Sequence, residues 1–160
     1  MFSRKLFLCV AALPLVLADV KFTSPSAGLT ITGTTISVAW KESGVSPPIS
    51  DLAEYQVFLC AGGNTATDYI PLTTLVTTGD FSTGNSVSAA FTIGLGTPRV
   101  NAYFLKTISA ADGGVIINYS GRFTLTSMDG ILPAAVTAGL QTVNSTSGPP
   151  TENDIKSPQK

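Results

Sequence analysis

Ile36, Val38 and Trp40 stand at every second position of one stretch, with Ser37, Ala39 and Lys41 between them. A β-strand turns successive side chains to opposite faces, so this alternation buries one face and wets the other. The rhythm returns at Val87, Ala89, Phe91 and Ile93, which are set between Ser86, Ser88, Ala90 and Thr92. No stretch sustains a helical period. Strand-like segments at residues 20–23, 29–31, 34–41, 55–60, 69–77, 86–93, 99–109 and 115–126 are separated by turn-forming runs such as SPSAG, ESGVSPP, AGGN and AADGG. About seven short strands of this kind predict an all-β fold, an immunoglobulin-like or fibronectin-III-like antiparallel β-sandwich.

Residues 1–18, MFSRKLFLCVAALPLVLA, have the three parts of a secretory signal peptide. Arg4 and Lys5 precede an apolar run from Leu6 to Leu17, and Val16 and Ala18 are the small residues before the cut. The run is broken by Pro14 and falls short of the roughly 20 apolar residues that span a bilayer. Cleavage is expected between Ala18 and Asp19, which exports the chain. Residues 19–128 then carry the sandwich. Residues 129–160, rich in Ser, Thr, Pro and small side chains, read as a flexible tail. Its polar end, IKSPQK, gives no reason to expect a transmembrane or glycolipid anchor.

The chain has no histidine, which removes Ser–His–Asp and Cys–His catalysis and imidazole metal sites. Nine Lys and Arg stand against ten Asp and Glu, and two of the nine, Arg4 and Lys5, lie in the leader. Without a basic run there is no footprint for nucleic acid. The pairs Gly62–Gly63 and Gly113–Gly114 lack phosphate-loop or dinucleotide spacing, so no cofactor is expected. Asp51, Glu54, Asp68, Asp80 and Asp112 sit singly in or beside loops, where solvated charge is ordinary, and no enzyme is predicted. With Cys9 in the leader, Cys60 stands alone, either as a buried inert thiol or as a partner for another chain.

Parity sorts the remaining candidates. Trp40 continues the Ile36–Val38 face and belongs to the core rather than to a sugar-stacking platform. Tyr55, Tyr103 and Tyr119 share the apolar parity of their strands, which leaves Tyr69, beside the loop NTATD, as a candidate exposed ring. Asn118-Tyr119-Ser120 and Asn144-Ser145-Thr146 are acceptor sequences for N-glycosylation, with Asn118 expected on a wet face and Asn144 in the tail. If Tyr55, Val57 and Leu59 point inward, Phe58 points outward. The same rule sends Phe104 and Ile116 outward. These three are expected to form an apolar docking stripe, unless a bulge or covering loop buries them.

The segments VKFTSPSAGLTITGTTISVAWKESG, PPISDLAEYQVFLCAGGN, FSTGN, NAYFLKTIS and GGVIINYSGRFTL, in that order, resemble the N-terminal immunoglobulin-like domain of the fungal Kre/Knh family. The resemblance covers residues 20–130. It implies a secreted cell-wall protein that supports β-1,6-glucan assembly, with wall β-glucan or wall-assembly proteins as partners. It carries over no catalytic residues. A small carbohydrate-binding or adhesion module acting on finished wall glucan is the alternative.

Overall fold

Alternating apolar residues build the first sheet. The chain, a computed structural model describing residues 20–155, begins with β1 (Val20–Ser24), β2 (Thr30–Ile31) and β3 (Thr35–Glu42). It continues through β4 (Leu52–Gly62), β5 (Tyr69–Asp80), β6 (Ser86–Ala90) and β7 (Arg99–Ala111). Then come β8 (Gly114–Tyr119), β9 (Phe123–Leu125), the short helix α1 (Ala134–Gly139) and β10 (Glu152–Ile155). The leader and the Ala18–Asp19 cleavage pair lie outside the described residues.

β1, β3 and β6 form one sheet, and β10, β8, β7, β4 and β5 form the other in that order. All pairings are antiparallel except β2 with β9, which makes the second sheet mixed. Ile36, Val38 and Trp40 of β3 point between the sheets and meet Tyr55, Val57 and Leu59 of β4 in one core cluster. Trp40 is only 4% exposed and packs edge-on to Tyr55 at 5.1 Å, as its parity required.

Both edges of the larger sheet resist pairing with another chain. β5 slips register against β4 at three points, and Pro71 stands within it. Bulges twist an edge and proline removes a donor, so this long strand is a poor template. At the other edge β10 is four residues long and carries Glu152 and Asp154.

One bulge decides which residues are buried near the end of the sandwich. Lys106 pairs with Tyr119 and Tyr103 with Phe123, so three steps along β7 meet four along the partner. The extra residue falls among Ser120, Gly121 and Arg122. A one-residue insertion reverses the facing of all that precedes it. Phe123 and Leu125 therefore point inward as expected, but so do Ile116 and Asn118, which face the core opposite Ser109 and Thr107. The hydroxyl of Ser120 marks the departure by accepting from the Leu105 amide at 2.8 Å.

Residues 129–155 are not a loose tail. Met128, Leu132, Val136 and Leu140 are buried in the main core cluster. The turn of α1 supplies the spacing of Val136 and Leu140. Close approach needs Gly139, where a Cβ would stand 2.7 Å from the Asp68 carbonyl. Beyond it the chain crosses the bulge, where Arg122 donates its amide to the Thr146 carbonyl, and ends as β10 along β8.

The Arg122 side chain secures this arrangement. It is fully buried and donates to the carbonyls of Gly63 (2.8 Å), Asn101 (3.2 Å) and Ser147 (3.0 Å), and to Asn64 Oδ1 (2.7 Å). Its guanidinium also lies 5.1 Å from the centre of the Phe104 ring. Arg122→Met keeps the apolar stem but orphans these oxygens, and each buried acceptor left unpaired costs roughly 1–3 kcal/mol. A total loss of about 3 kcal/mol or more is expected in urea denaturation. Truncation after Gly130 is expected to cost at least as much, because Leu132, Val136 and Leu140 each contribute roughly 1.5–3 kcal/mol by burial. A truncated chain with unchanged stability would show that the segment only rests on the surface.

Candidate functional site

A groove of about 730 Å³ lies where β3 and β5 end. Its apolar floor is Trp40, Ile49 and Phe81, and its rim includes Glu42, Asp80 and Asn85. Phe81 follows β5 in a tight 3-10 turn, Phe81–Thr83, which Asp80 caps by accepting from the Ser82 amide at 2.7 Å. The turn holds Phe81 against Trp40 (5.9 Å) and Tyr55 (4.5 Å). Tyr55 can lie there because residue 79 is glycine: a Cβ at that point would be 2.2 Å from the ring. Across the groove, both carboxylate oxygens of Glu42 accept from the Ile49 amide at 3.1 and 3.2 Å, which closes the loop between β3 and β4. The Asn85 carbonyl accepts from the Trp40 amide at 3.0 Å, and the exposed Asn85 lines the groove.

These contacts set the site's electrostatics. Hydrogen bonds from Ser82 hold the Asp80 carboxyl below its ordinary range, so it remains an ionised acceptor. Burial, with the Asp80 charge second, pushes the Tyr55 hydroxyl up and keeps it neutral. A glycosidase acid needs the opposite, a carboxyl whose pKa is raised. The groove is suited to holding hydroxyl groups over an apolar floor. Among the described residues, no three His, Cys, Asp or Glu side chains come together as metal ligands.

The expected docking stripe does not form. Ile116 faces the core because of the bulge, while Phe104 points outward but is covered. Tyr69 packs edge-on to Phe104 at 5.2 Å, Tyr119 lies 6.0 Å away, and the Arg122 guanidinium lies over the ring. Phe58 is half-buried beside this small outer cluster, which also contains Cys60. Tyr69 is therefore no exposed platform: its hydroxyl bonds Tyr119 at 2.9 Å, and Tyr119 donates to Glu152 Oε1 at 2.7 Å. Burial foremost, with the hydrogen bonds to Tyr69 and Glu152, drives the Tyr119 hydroxyl far upward.

Asn118 is not on a wet face. It is 1% exposed, and neither amide atom finds a hydrogen-bond partner among the described residues. Asn144 is exposed. Asp51, Glu54 and Asp112 are exposed and Asp68 half-buried, with only Asp80 at the groove. Phe81 escaped the sequence reading because it belongs to no strand. The signal was present in Asp80-Phe81-Ser82-Thr83, a capping acid before an aromatic and two hydroxyl residues.

Residues 24–125 match the family model described as the Kre9/KNH-like N-terminal Ig-like domain. The chain belongs to the Kre9/KNH family. Over 123 residues it is 32% identical to the cell wall synthesis protein KRE9 of Saccharomyces cerevisiae, covering 72% of this chain and 45% of that protein. Over 130 residues it is 33% identical to the KRE9 of Candida albicans, covering 77% and 47%. The chain thus spans less than half the length of these relatives. The family match ends at Leu125, so the packing of α1 and β10 onto this Kre9/KNH domain lies beyond it.

Cys60 is fully buried, and desolvation pushes its thiol up to about 12, with nearby Lys106 opposing. Thiol reagents are expected to leave the folded protein unmodified at pH 8 and to react once it is unfolded. The folded thiol keeps its proton from about 9 to about 12, where the unfolded one has lost it. Stability therefore falls as pH rises through that window. Subtracting the profile of Cys60→Ala isolates this slope, and equal profiles would place the thiol in water.

Proposed function

We propose that this chain is a secreted, non-catalytic fungal cell-wall protein that supports β-1,6-glucan assembly and wall organisation by holding a glucan segment in the Trp40–Phe81 groove. The observation that carries this reading is the pairing of the half-buried Phe81 and Ile49, with Trp40 packed edge-on against Phe81, and a polar lining that includes the ionised Asp80 and Asn85. A pyranose presents C–H groups on its faces and hydroxyls around its edge, so floor and rim match its two kinds of surface. Relatives named for cell wall synthesis support the biological setting. The covered Phe104 and the protected sheet edges leave the groove as the best-formed binding surface among the described residues.

Retention of the mature protein on insoluble β-1,6-glucan tests direct contact. Phe81→Ala is expected to weaken retention roughly tenfold, or about 1.4 kcal/mol. Because Phe81 also packs on Trp40, Asn85→Ala serves as the companion variant. It is exposed and lines the groove, so weaker retention is expected with an unchanged melting curve. Equal retention by both variants would remove the groove from the proposal. Deleting the gene in its fungus is expected to lower wall β-1,6-glucan. An unchanged wall polymer with retained binding would leave a module that acts on finished glucan.

A further inference from the structure

The two N-glycosylation sequences occupy opposite environments. Asn118 lies in β8, flanked by β7 and β10, with its amide directed between the sheets. A sugar on its Nδ2 would have to fill space already occupied by the core. Asn144 follows the turn Leu140–Thr142 in irregular chain, and its exposed carboxamide makes no hydrogen bond among the described residues. The backbone just beyond is pinned, since the Thr146 and Ser147 carbonyls accept from Arg122. Asn144 is thus a free side chain on an anchored loop.

It also stands at a second concavity, of about 330 Å³, lined by Val100, Asn101, Leu140, Val143, Ser145 and Thr146. Val100 is 75% exposed, one of three large apolar residues in that state among the described residues. An N-acetylhexosamine has an apolar ring face and an acetyl methyl, together with hydroxyls and an amide. Val100 and Val143 suit the first pair; Asn101, Ser145 and Thr146 suit the second. Burying exposed apolar surface is favourable.

We infer that Asn144 carries an N-linked glycan whose first sugar seats in the cleft over Val100, and that the Asn118 sequence is silent in the folded protein. The inference rests on the export proposed above. In the transfer, Asn144 Nδ2 forms a bond to C1 of the first sugar of a lipid-pyrophosphate-linked oligosaccharide. The C1–O bond breaks, the lipid pyrophosphate leaves with the electron pair, and the amide gives up one proton. The seated sugar shields the loop that Arg122 ties to the sandwich.

The test is expression of the full chain in a secreting yeast, with intact mass measured before and after peptide N-glycosidase in ¹⁸O-water. Release of one glycan is expected, with labelled Asp at position 144 and unlabelled Asn at 118. Asn144→Gln and Thr146→Ala should each abolish the glycan. A secreted chain beginning at Asp19 without glycan, or with label at Asn118, overturns this inference while leaving export standing. An unmodified chain retained in the cell and still beginning at Met1 overturns export and this inference with it. Hydrogen exchange should speed up at residues 100–101 and 143–146 after the glycan is removed. Unchanged exchange would show that the sugar points into solvent and would overturn the seating.

Discussion

A single buried cation holds the far end of this sandwich together. Arg122 has four neutral oxygens as partners, drawn from the β4–β5 turn, the part of β7 between Arg99 and Tyr103 where its register against β9 shifts, and the segment after α1. Desolvation lowers its pKa to about 10, so the guanidinium stays charged at neutral pH. A buried charge is tolerable only when its donors are matched, and matching them draws three distant segments to one point. Within that shift stands Asn101, the one non-glycine residue described with a positive φ, 52°. Its amide donates to Thr124 Oγ1, which steadies a conformation that most L-residues avoid.

The consequences spread along the larger sheet. With the C-terminal segment pinned at Thr146 and Ser147, the chain can continue to β10 and cover the edge of β8. The Glu152–Tyr119–Tyr69 hydrogen-bond chain then links β10 to β5 across the outer face. Phe104 and Cys60 are sealed beneath it, and the sheet presents no broad apolar surface there. The groove of Trp40 and Phe81 has a different origin, being built from local turn contacts by Asp80 and Glu42. That independence lets the groove remain open while the outer face of the larger sheet is closed off.

Much of the architecture was legible because strand parity is a local property. Ile36, Val38, Trp40, Tyr55, Val57, Leu59, Ala89 and Phe91 all face the core as their spacing requires. Parity failed where continuity failed. Residues 115–126 read as one strand, and unbroken parity gives Val115, Ile117 and Tyr119 the facing of Phe123 and Leu125. One inserted residue near Gly121 reversed them, which carried Ile116 and Asn118 into the interior. Phe104 faces outward as its parity requires, yet it is covered, and Arg122 beside it is fully buried. Their covering comes from turns and chain ends that no two-residue period describes.

The sequence by itself determined the class of fold, the core faces of the regular strands and the family resemblance, because each follows from residue order over short spans. Tertiary structure decided which outward residues are wet, which of two glycosylation sequences is accessible, and that residues 129–155 belong to the domain. These depend on contacts between segments far apart in the chain. Composition marked the final segment as polar and loose, yet three buried apolar side chains and one distant arginine were enough to hold it in place.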